Sequence, residues 1–219
     1  EKIVIMSKNK NLLSNTIPVF PLSNFIIFPK TTVPLNIFEE RYLSMVDDAM
    51  KKDKLIGMIQ PANKNDITPN VYKIGCVGKI VSYNETNDGR YLIVLNGISR
   101  FNIIKEIENR KLYREFDVSY EEFKNDQLKI DEKLDFETFD SIFVKLKSYF
   151  DKQGYSLNWE ELRKQNLELS LNTLSMAAPF TKEEKQALIE TKDIKTRKKV
   201  IEKILETYLL DDFSNTTVQ

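Results

Sequence analysis

The amino-acid sequence predicts an α+β protein, in which a β-rich half precedes a helical half. Up to residue 123, apart from one helix, apolar residues alternate or form short runs bounded by turn residues, as in strands. After residue 135 they recur at three- and four-residue steps, the period of one helix face. The chain has 219 residues and 41% hydrophobic content, which is enough to bury a core.

The chain begins with extended segments. Residues 1–16 are polar after a short Ile3-Val4-Ile5 run, and they form either a leader or an extra strand. In residues 17–22, Pro18 and Pro21 flank apolar positions and favour the extended backbone of an edge strand.

A hydrophobic segment with two further prolines follows. Phe25 to Phe28 are four consecutive apolar residues before Pro29, and Pro34 interrupts the next apolar run. Since proline is excluded from a helix interior, we predict a loop that leads into the first helix.

The first helix is predicted from Phe38 to Met50, because apolar residues recur there on one face. Arg41, near its start, is expected to pin the helix to the sheet by pairing with a carboxylate or with carbonyl groups, and Arg100 is expected to pair in the same way. The apolar face consists of Phe38, Tyr42, Met45, Val46 and Ala49.

Four strands are predicted after this helix. Asn87-Asp88-Gly89 separates two of them and predicts a tight hairpin, since glycine adopts the positive φ that such a turn needs. Gly97 interrupts a long strand and predicts a bulge or bend that closes the sheet towards a small, partly closed barrel. The predicted strands are Leu55–Gln60, Lys73–Glu85, Tyr91–Ile107 and the alternating Phe116, Val118 and Tyr120.

Residues 124 to 135 are polar and aperiodic, so they predict a boundary between a β-rich domain at 17–123 and a helical domain at 124–211. We therefore expect limited proteolysis to cut first between Asn125 and Lys133. Sequencing of the first fragments tests this, and a first cut within residues 73–107 would show that the core is misplaced.

The helical half begins with an apolar face from Phe139 to Phe150. Asn158 is placed to cap a helix that includes Trp159 and Leu162. Thr181-Lys182-Glu183-Glu184 matches the capping box of another helix.

The last helix is predicted to open at Asp193, and residues 212–219 are expected to form a frayed tail. One face of this helix is apolar, and the outer face carries a basic cluster. The apolar positions are Val200, Ile201, Ile204, Leu205, Tyr208 and Leu209, and the basic ones are Lys195, Arg197, Lys198 and Lys199.

The residue types exclude several kinds of catalytic site. The chain has no histidine and one cysteine, Cys76, so histidine triads, histidine-ligated zinc and thiolate zinc sites are excluded. None of the six glycines sets up the Gly-x-x-x-x-Gly-Lys-Ser/Thr loop that cradles phosphates. We predict no metal, no cofactor and no catalytic residues.

The apolar runs of the sequence are shorter than the roughly 20 residues needed to cross a bilayer, so we expect no membrane contact. Because the chain has one cysteine and so no intramolecular disulfide, we expect a cytoplasmic protein.

Several motifs then stand in a characteristic order. They are residues 17–22, Phe28-Pro29, residues 34–42, Gly75–Ile80, Asp88–Tyr91 and Gly97–Phe101. In order and spacing they resemble the substrate-binding N-terminal domain of Lon proteases. A weaker likeness from Ser175 to Glu190, in which Glu184–Glu190 looks like a helical segment of the family, extends the resemblance over residues 17 to 190. Asn36 and Glu40 stand where this family often has histidine and proline, and neither change threatens the fold.

The resemblance implies a PUA-like β pseudobarrel followed by a C-terminal helical subdomain. It also implies a substrate-recognition role. We therefore expect a stand-alone, non-catalytic module, without ATPase or protease, that binds unfolded or client proteins through their exposed apolar segments. Such a module would act as an independent factor or recruit clients for a protease or a chaperone.

Two alternatives stay open. A PUA-like module could bind RNA, because lysines stand beside aromatic residues at Tyr72-Lys73, Lys79 to Tyr83 and Lys147 to Tyr149. The balance of 33 basic and 33 acidic residues disfavours this, since affinity for phosphates grows with the number of cations engaged. A serine and lysine hydrolase is compatible with the composition, but nothing marks a nucleophile elbow.

Phe25, Ile26 and Phe28 are the predicted peptide-binding residues. Four consecutive apolar residues that prolines keep out of a helix form either ordinary core or an apolar patch that a partner covers. In an extended segment Phe25 and Ile27 would point one way and the other two residues the opposite way, so one pair is expected to be buried and the other exposed.

Overall fold

The computed structural model describes residues 13–63, 70–128 and 139–215, with side chains as far as Tyr208. Within these ranges, strands and one helix precede five helices, so the predicted α+β order is confirmed. The strands are β1 (Thr16–Pro21), β2 (Thr32–Ile37), β3 (Leu55–Ile59), β4 (Ile74–Glu85), β5 (Tyr91–Ile107) and β6 (Arg114–Ser119). The helices are α1 (Glu40–Met50), α2 (Asp140–Lys152), α3 (Trp159–Lys164), α4 (Leu167–Ala177), α5 (Lys182–Ile189) and α6 (Ile194–Asn215), with a 3-10 helix at Glu121–Gln127.

The strands form one sheet in the order β2-β5-β4-β3-β1-β6. Neighbouring strands are antiparallel, except that β1 and β3 are parallel. Strand β6 pairs with β1 on one side and with β5 on the other, so the pairings of five strands return to their starting point. Strand β2 is attached to this ring through β5.

Gly97 marks a bulge in the long strand β5, as predicted. Ile98 is left over between the pairs that Gly97 and Ser99 make with β4. A Cβ atom on Gly97 would lie 2.0 Å from the carbonyl oxygen of Phe28, so only glycine lets the loop before β2 approach so closely.

Strand β1 is not an edge strand, although its prolines predict one. It pairs with β6 through residues 16–19 and with β3 through residues 19–21. Pro18 is therefore paired on one side only, because the two neighbours overlap along β1 at a single residue. This staggered pairing is what lets proline lie within an internal strand.

The segment around Pro34, predicted as a loop, is the strand β2. It pairs with β5 from Thr32 to Ile37, and Gly97 N–H donates to Thr31 O at 2.8 Å just before this ladder. By the alternation of an antiparallel ladder, position 34 would turn its N–H away from β5. No strand pairs with β2 on that side among the described residues, so the missing N–H of proline breaks no hydrogen bond.

Helix α1 has the predicted buried face, with Tyr42, Met45, Val46 and Ala49. Two expectations at its start are wrong. Phe38 precedes the helix and is 65% exposed. Arg41 does not pin the helix to the sheet, because its guanidinium pairs at 2.7 Å with Glu39 on the surface.

The predicted helix starts in the second half are confirmed. Asn158 caps α3, Thr181 opens α5 with a capping box, and Asp193 precedes α6. Helix α6 continues to Asn215, so the predicted tail is helical over its first four residues. Residues 216–219, residues 1–12 of the leader and residues 129–133 of the expected cleavage segment lie outside the described residues.

Two clusters of buried apolar side chains form the core. The smaller one surrounds Phe101 and draws on all five strands of the ring, so it lies inside the ring. Gly75 makes room for it, since a Cβ atom there would lie 2.7 Å from the Phe101 ring. The larger cluster joins the outer face of the sheet to α1 and to the helical half.

Candidate functional site

The structure places the predicted peptide-binding segment between the sheet and the helical half. Ile26, Ile27 and Phe28 are at most 4% exposed, whereas Phe25 is only partly buried. The expected alternation of buried and exposed pairs is wrong, because the segment is not a strand and is covered from both sides. Ile26 and Phe28 are core residues. Of the three predicted peptide-binding residues, Phe25 is therefore the one whose side chain is accessible to a partner.

The turn that carries Phe25 is tied to the helical half. Lys185 Nζ donates to the backbone oxygens of Asn24, at 3.2 Å, and Met176, at 3.0 Å. Burial lowers the pKa of Lys185, and the two carbonyl groups supply the partners that its buried ammonium needs. Asn24 adopts a φ of 59°. The turn is therefore held against the last turn of α4.

Polar side chains of α5 join the two halves further along. Gln60 Nε2 donates to Lys182 O at 2.9 Å and to Gln186 Oε1 at 3.2 Å. Gln186 Nε2 donates to Ile74 O at 3.2 Å, and Lys182 Nζ donates to Ala62 O at 2.9 Å. Because buried polar groups need partners, these contacts fix α5 on the sheet.

Arg100 makes a further link between the halves. Its Nε and Nη2 atoms donate to the carboxylate of Asp126 at 2.9 and 2.8 Å, and its backbone N–H donates to the same group. Its Nη1 atom donates to the carbonyl oxygens of Ile189, at 3.1 Å, and Thr191, and its guanidinium lies 4.3 Å from the centroid of the Phe123 ring. The expected pairing of Arg100 is thus confirmed, with a carboxylate and with carbonyl groups.

The expected exposure of Arg197 is wrong, since this residue is 3% exposed. Its guanidinium lies 4.2 Å from the centroid of the Phe28 ring. It donates to Asn172 Oδ1 and, at 3.1 Å, to Thr191 Oγ1. Burial, and then the nearby Arg100, lower the pKa of Arg197, but a guanidinium remains charged at neutral pH. The residue fastens α6 to the core.

A concave site lies in the helical half, between α3 and α4. Its volume is about 210 Å³, and its walls are mostly apolar. Leu162 and Leu174 are buried beneath it, whereas Ala177 is exposed. Thr173, Leu174 and Ala177 lie on one face of α4, whose last turn is the one that Lys185 ties to the Phe25 turn. The lining residues are Leu157, Asn158, Glu161, Leu162, Gln165, Thr173, Leu174 and Ala177.

Gln165 gives this site an unusual polar atom. Its Oε1 is buried and has no hydrogen-bond partner. A buried acceptor without a partner costs about 1 to 3 kcal/mol. The sequence pattern did not predict this site, although the spacing of residues 158, 161, 162 and 165 is that of one helix face.

Two of the candidate serines and two buried lysines are engaged in other hydrogen bonds. Ser99 and Ser175 donate to backbone carbonyl oxygens, and so do the ammonium groups of Lys182 and Lys185. Burial raises the pKa of the Cys76 thiol, which keeps it protonated and unreactive. These serines and lysines therefore lack the contact between nucleophile and base on which such catalysis depends.

The lysine and aromatic pairs considered for RNA do not form one surface. Lys79 and Tyr83 lie on β4, whereas Tyr149 lies on α2 in the other half. Tyr149 is 6% exposed and stacks on Phe180 with ring centroids 5.4 Å apart. Its ring is therefore closed to a nucleobase.

The described residues contain no group of three or more histidine, cysteine, aspartate or glutamate side chains that could hold a metal ion. Among them, none of the helices combines the length and the apolar character needed to cross a membrane.

Comparison with known proteins points to one family. A family model described as the ATP-dependent protease La (LON) substrate-binding domain matches residues 16–207. Lon protease 2 of Myxococcus xanthus is 22% identical over 220 residues, covering 90% of this chain and 24% of that protein. The Lon protease of Dictyoglomus thermophilum is 25% identical over 187 residues, covering 84% and 23% respectively. The chain thus spans about a quarter of the length of these relatives.

Solved structures agree in fold. The Lon N-terminal domain protein from Xanthomonas campestris superposes with a TM-score of 0.61 at 20% identity, covering 87% of this chain and 97% of that one. The N-terminal domain of the Mycobacterium avium complex Lon protease gives a TM-score of 0.60 at 17% identity, covering 87% and 98%.

Proposed function

This chain belongs to the LON substrate-binding domain family, and from that membership we propose that it is a non-catalytic module that binds unfolded polypeptides through their exposed apolar segments. The observation that carries the proposal is the apolar pocket between α3 and α4. Unfolded chains present apolar side chains that folded proteins bury, so they are the class of partner that such a pocket suits.

The binding surface that we propose combines this pocket with Phe25. Lys185 holds the turn of Phe25 against the last turn of α4, which also lines the pocket. Partly buried aromatic residues are common anchors of interfaces, because they offer a large area at a small cost in conformational entropy. A segment of a client could therefore contact both features at once.

The sheet supports this role as a scaffold. The ring of strands fits the PUA-like pseudobarrel that the resemblance implies. The links from Arg100 and α5 fix the helical half on this ring, so the pocket and Phe25 keep their relative position. Pre-ordered surfaces bind more tightly because less freedom is lost on association. In the cytoplasm, such a module would present clients to a protease or a chaperone.

Replacing Phe25 with serine is expected to weaken binding of an unfolded protein about tenfold, since a central aromatic contact contributes roughly 1 to 2 kcal/mol. The measurement is a titration of labelled, carboxymethylated client protein with the whole chain, monitored by fluorescence anisotropy. Leu112→Ser is the matched control, because Leu112 is 58% exposed, lies between β5 and β6, and does not line the pocket.

Thermal denaturation of both variants completes this test. We expect both variants to melt at temperatures similar to that of the unmodified chain. We also expect the unmodified chain to hydrolyse neither ATP nor the client protein. If Phe25→Ser and the unmodified chain bind the client equally well, Phe25 is not part of the binding site. Failure of the unmodified chain to bind any unfolded protein would overturn the proposed function.

A further inference from the structure

We propose that the pocket between α3 and α4 holds one apolar side chain of an extended polypeptide, and that Gln165 accepts a hydrogen bond from a backbone N–H beside that side chain. This inference rests on the proposed function and specifies which feature of the substrate is recognised.

The size of the pocket sets the size of the group that enters it. Its volume of about 210 Å³ is below the roughly 300 to 1,000 Å³ of sites that enclose a whole small molecule. It exceeds the roughly 150 Å³ of an apolar cavity that holds benzene. One leucine, methionine or phenylalanine side chain therefore fits, while the rest of its molecule stays outside.

The walls of the pocket favour the same occupant. Leu162 and Leu174 form an apolar floor, and the exposed lining of the pocket is almost wholly apolar. Such a lining suits an apolar side chain that projects into the pocket from a polypeptide backbone.

Gln165 distinguishes an extended polypeptide from a folded helix. Its Oε1 is buried and lacks a hydrogen-bond partner. The terminal torsion of a glutamine side chain is broad, so a small rotation can present this oxygen to an entering donor. In a helix, backbone N–H groups beyond the first turn are already engaged, whereas an extended segment keeps them free. The unpaired acceptor therefore selects segments without secondary structure.

The first experiment fills the pocket. Ala177→Phe places a ring in it from an exposed position, so the core is not disturbed, and Ala187→Phe makes the same change at an exposed alanine of α5 outside the pocket. The probe is a short labelled peptide with one leucine among serine and glycine residues, titrated by anisotropy. We expect Ala177→Phe to weaken binding at least tenfold and Ala187→Phe to leave it unchanged.

The second experiment tests the hydrogen bond. The same peptide is made with an N-methyl group on the leucine, which removes one N–H, and both peptides are titrated with the unmodified chain and with Gln165→Met. We expect N-methylation to weaken binding by the unmodified chain roughly three- to tenfold more than it weakens binding by Gln165→Met. Any conformational effect of the methyl group is common to both proteins and cancels in this comparison.

The outcomes separate the two proposals. If unfolded protein binds but Ala177→Phe binds the peptide as tightly as Ala187→Phe does, the pocket is not the site and this inference fails alone. If Ala177→Phe loses binding while both proteins respond equally to N-methylation, the role of Gln165 is overturned. If the unmodified chain binds neither unfolded protein nor peptide, the proposed function and this inference fail together.

Discussion

Phe28→Ala is expected to lower the free energy of unfolding by about 3 to 5 kcal/mol, the usual cost of emptying the site of a buried phenylalanine. The side chain has no exposed surface. It belongs to the cluster that joins the sheet to the helical half, so its removal loosens both. The Arg197 guanidinium, 4.2 Å from the centre of this ring, also loses the aromatic face on which it lies.

Urea denaturation of Phe28→Ala and of Phe38→Ala measures this effect. Phe38 is 65% exposed, so its truncation is expected to leave stability unchanged within error. A loss of less than about 1 kcal/mol for Phe28→Ala would mean that the site collapses around the cavity, contrary to the tight packing we infer.

Asp126→Ala is expected to be as costly, at about 3 to 5 kcal/mol, because it leaves the Arg100 guanidinium buried without its carboxylate. The two side chains are 4% and 9% exposed, and their closest atoms are 2.8 Å apart. Repulsion by the nearby Arg100 contributes to lowering the pKa of Arg197, whereas Asp126 acts in the opposite direction. Asp126→Ala therefore removes the carboxylate that pairs directly with Arg100 and leaves the repulsion between the two arginines less balanced.

Two further variants test whether the loss of stability is specific to the pair of Arg100 and Asp126. Asp88→Ala removes an exposed carboxylate that pairs with Arg90 at 2.8 Å and accepts a hydrogen bond from Thr86 in the hairpin turn, and only a small loss of stability is expected. The double variant Asp126→Ala with Arg100→Leu should be more stable than Asp126→Ala alone, since it no longer buries an unpaired charge. If the single variant denatures at the same urea concentration as the unmodified chain, Arg100 does not need this carboxylate.

Local sequence patterns predict the turns, bulges and helix starts well, because contacts between residues close in sequence determine them. The turn at Asp88-Gly89, the bulge at Gly97 and the capping box at Thr181 each depend on residues within a few positions of each other. The same patterns give wrong predictions where a segment distant in sequence determines the structure. Pro18 predicts an edge strand, but β1 is internal, because its two neighbouring strands are staggered and Pro18 is paired on one side only.

The errors at Arg41 and Arg197 have a common cause. Charge type alone cannot show whether an arginine is buried, since that depends on partners supplied by other elements. Arg197 lies one turn before Ile201 on the same helix face, and this spacing indicates burial despite its charge. Asn172 and Thr191 supply its hydrogen-bond acceptors, and no local pattern links them to it.

The candidate site was only partly predictable. Phe25 was predicted from its apolar run, but the burial of Ile26 and Phe28 follows from the helices packed over them. The pocket itself requires α3 and α4 to lie side by side, and helix α4 was not predicted from the pattern. A site formed by two elements that meet in the fold gives only a weak signal along the chain.

The heat-capacity change of binding tests most directly whether this chain engages polypeptides through apolar surface. Calorimetric titrations of the whole chain with a carboxymethylated, unfolded protein at several temperatures give this quantity. We predict a clearly negative heat-capacity change with little dependence on salt, since burial of apolar area carries that signature. A value near zero, or an affinity that falls steeply as salt is added, would contradict an apolar binding surface.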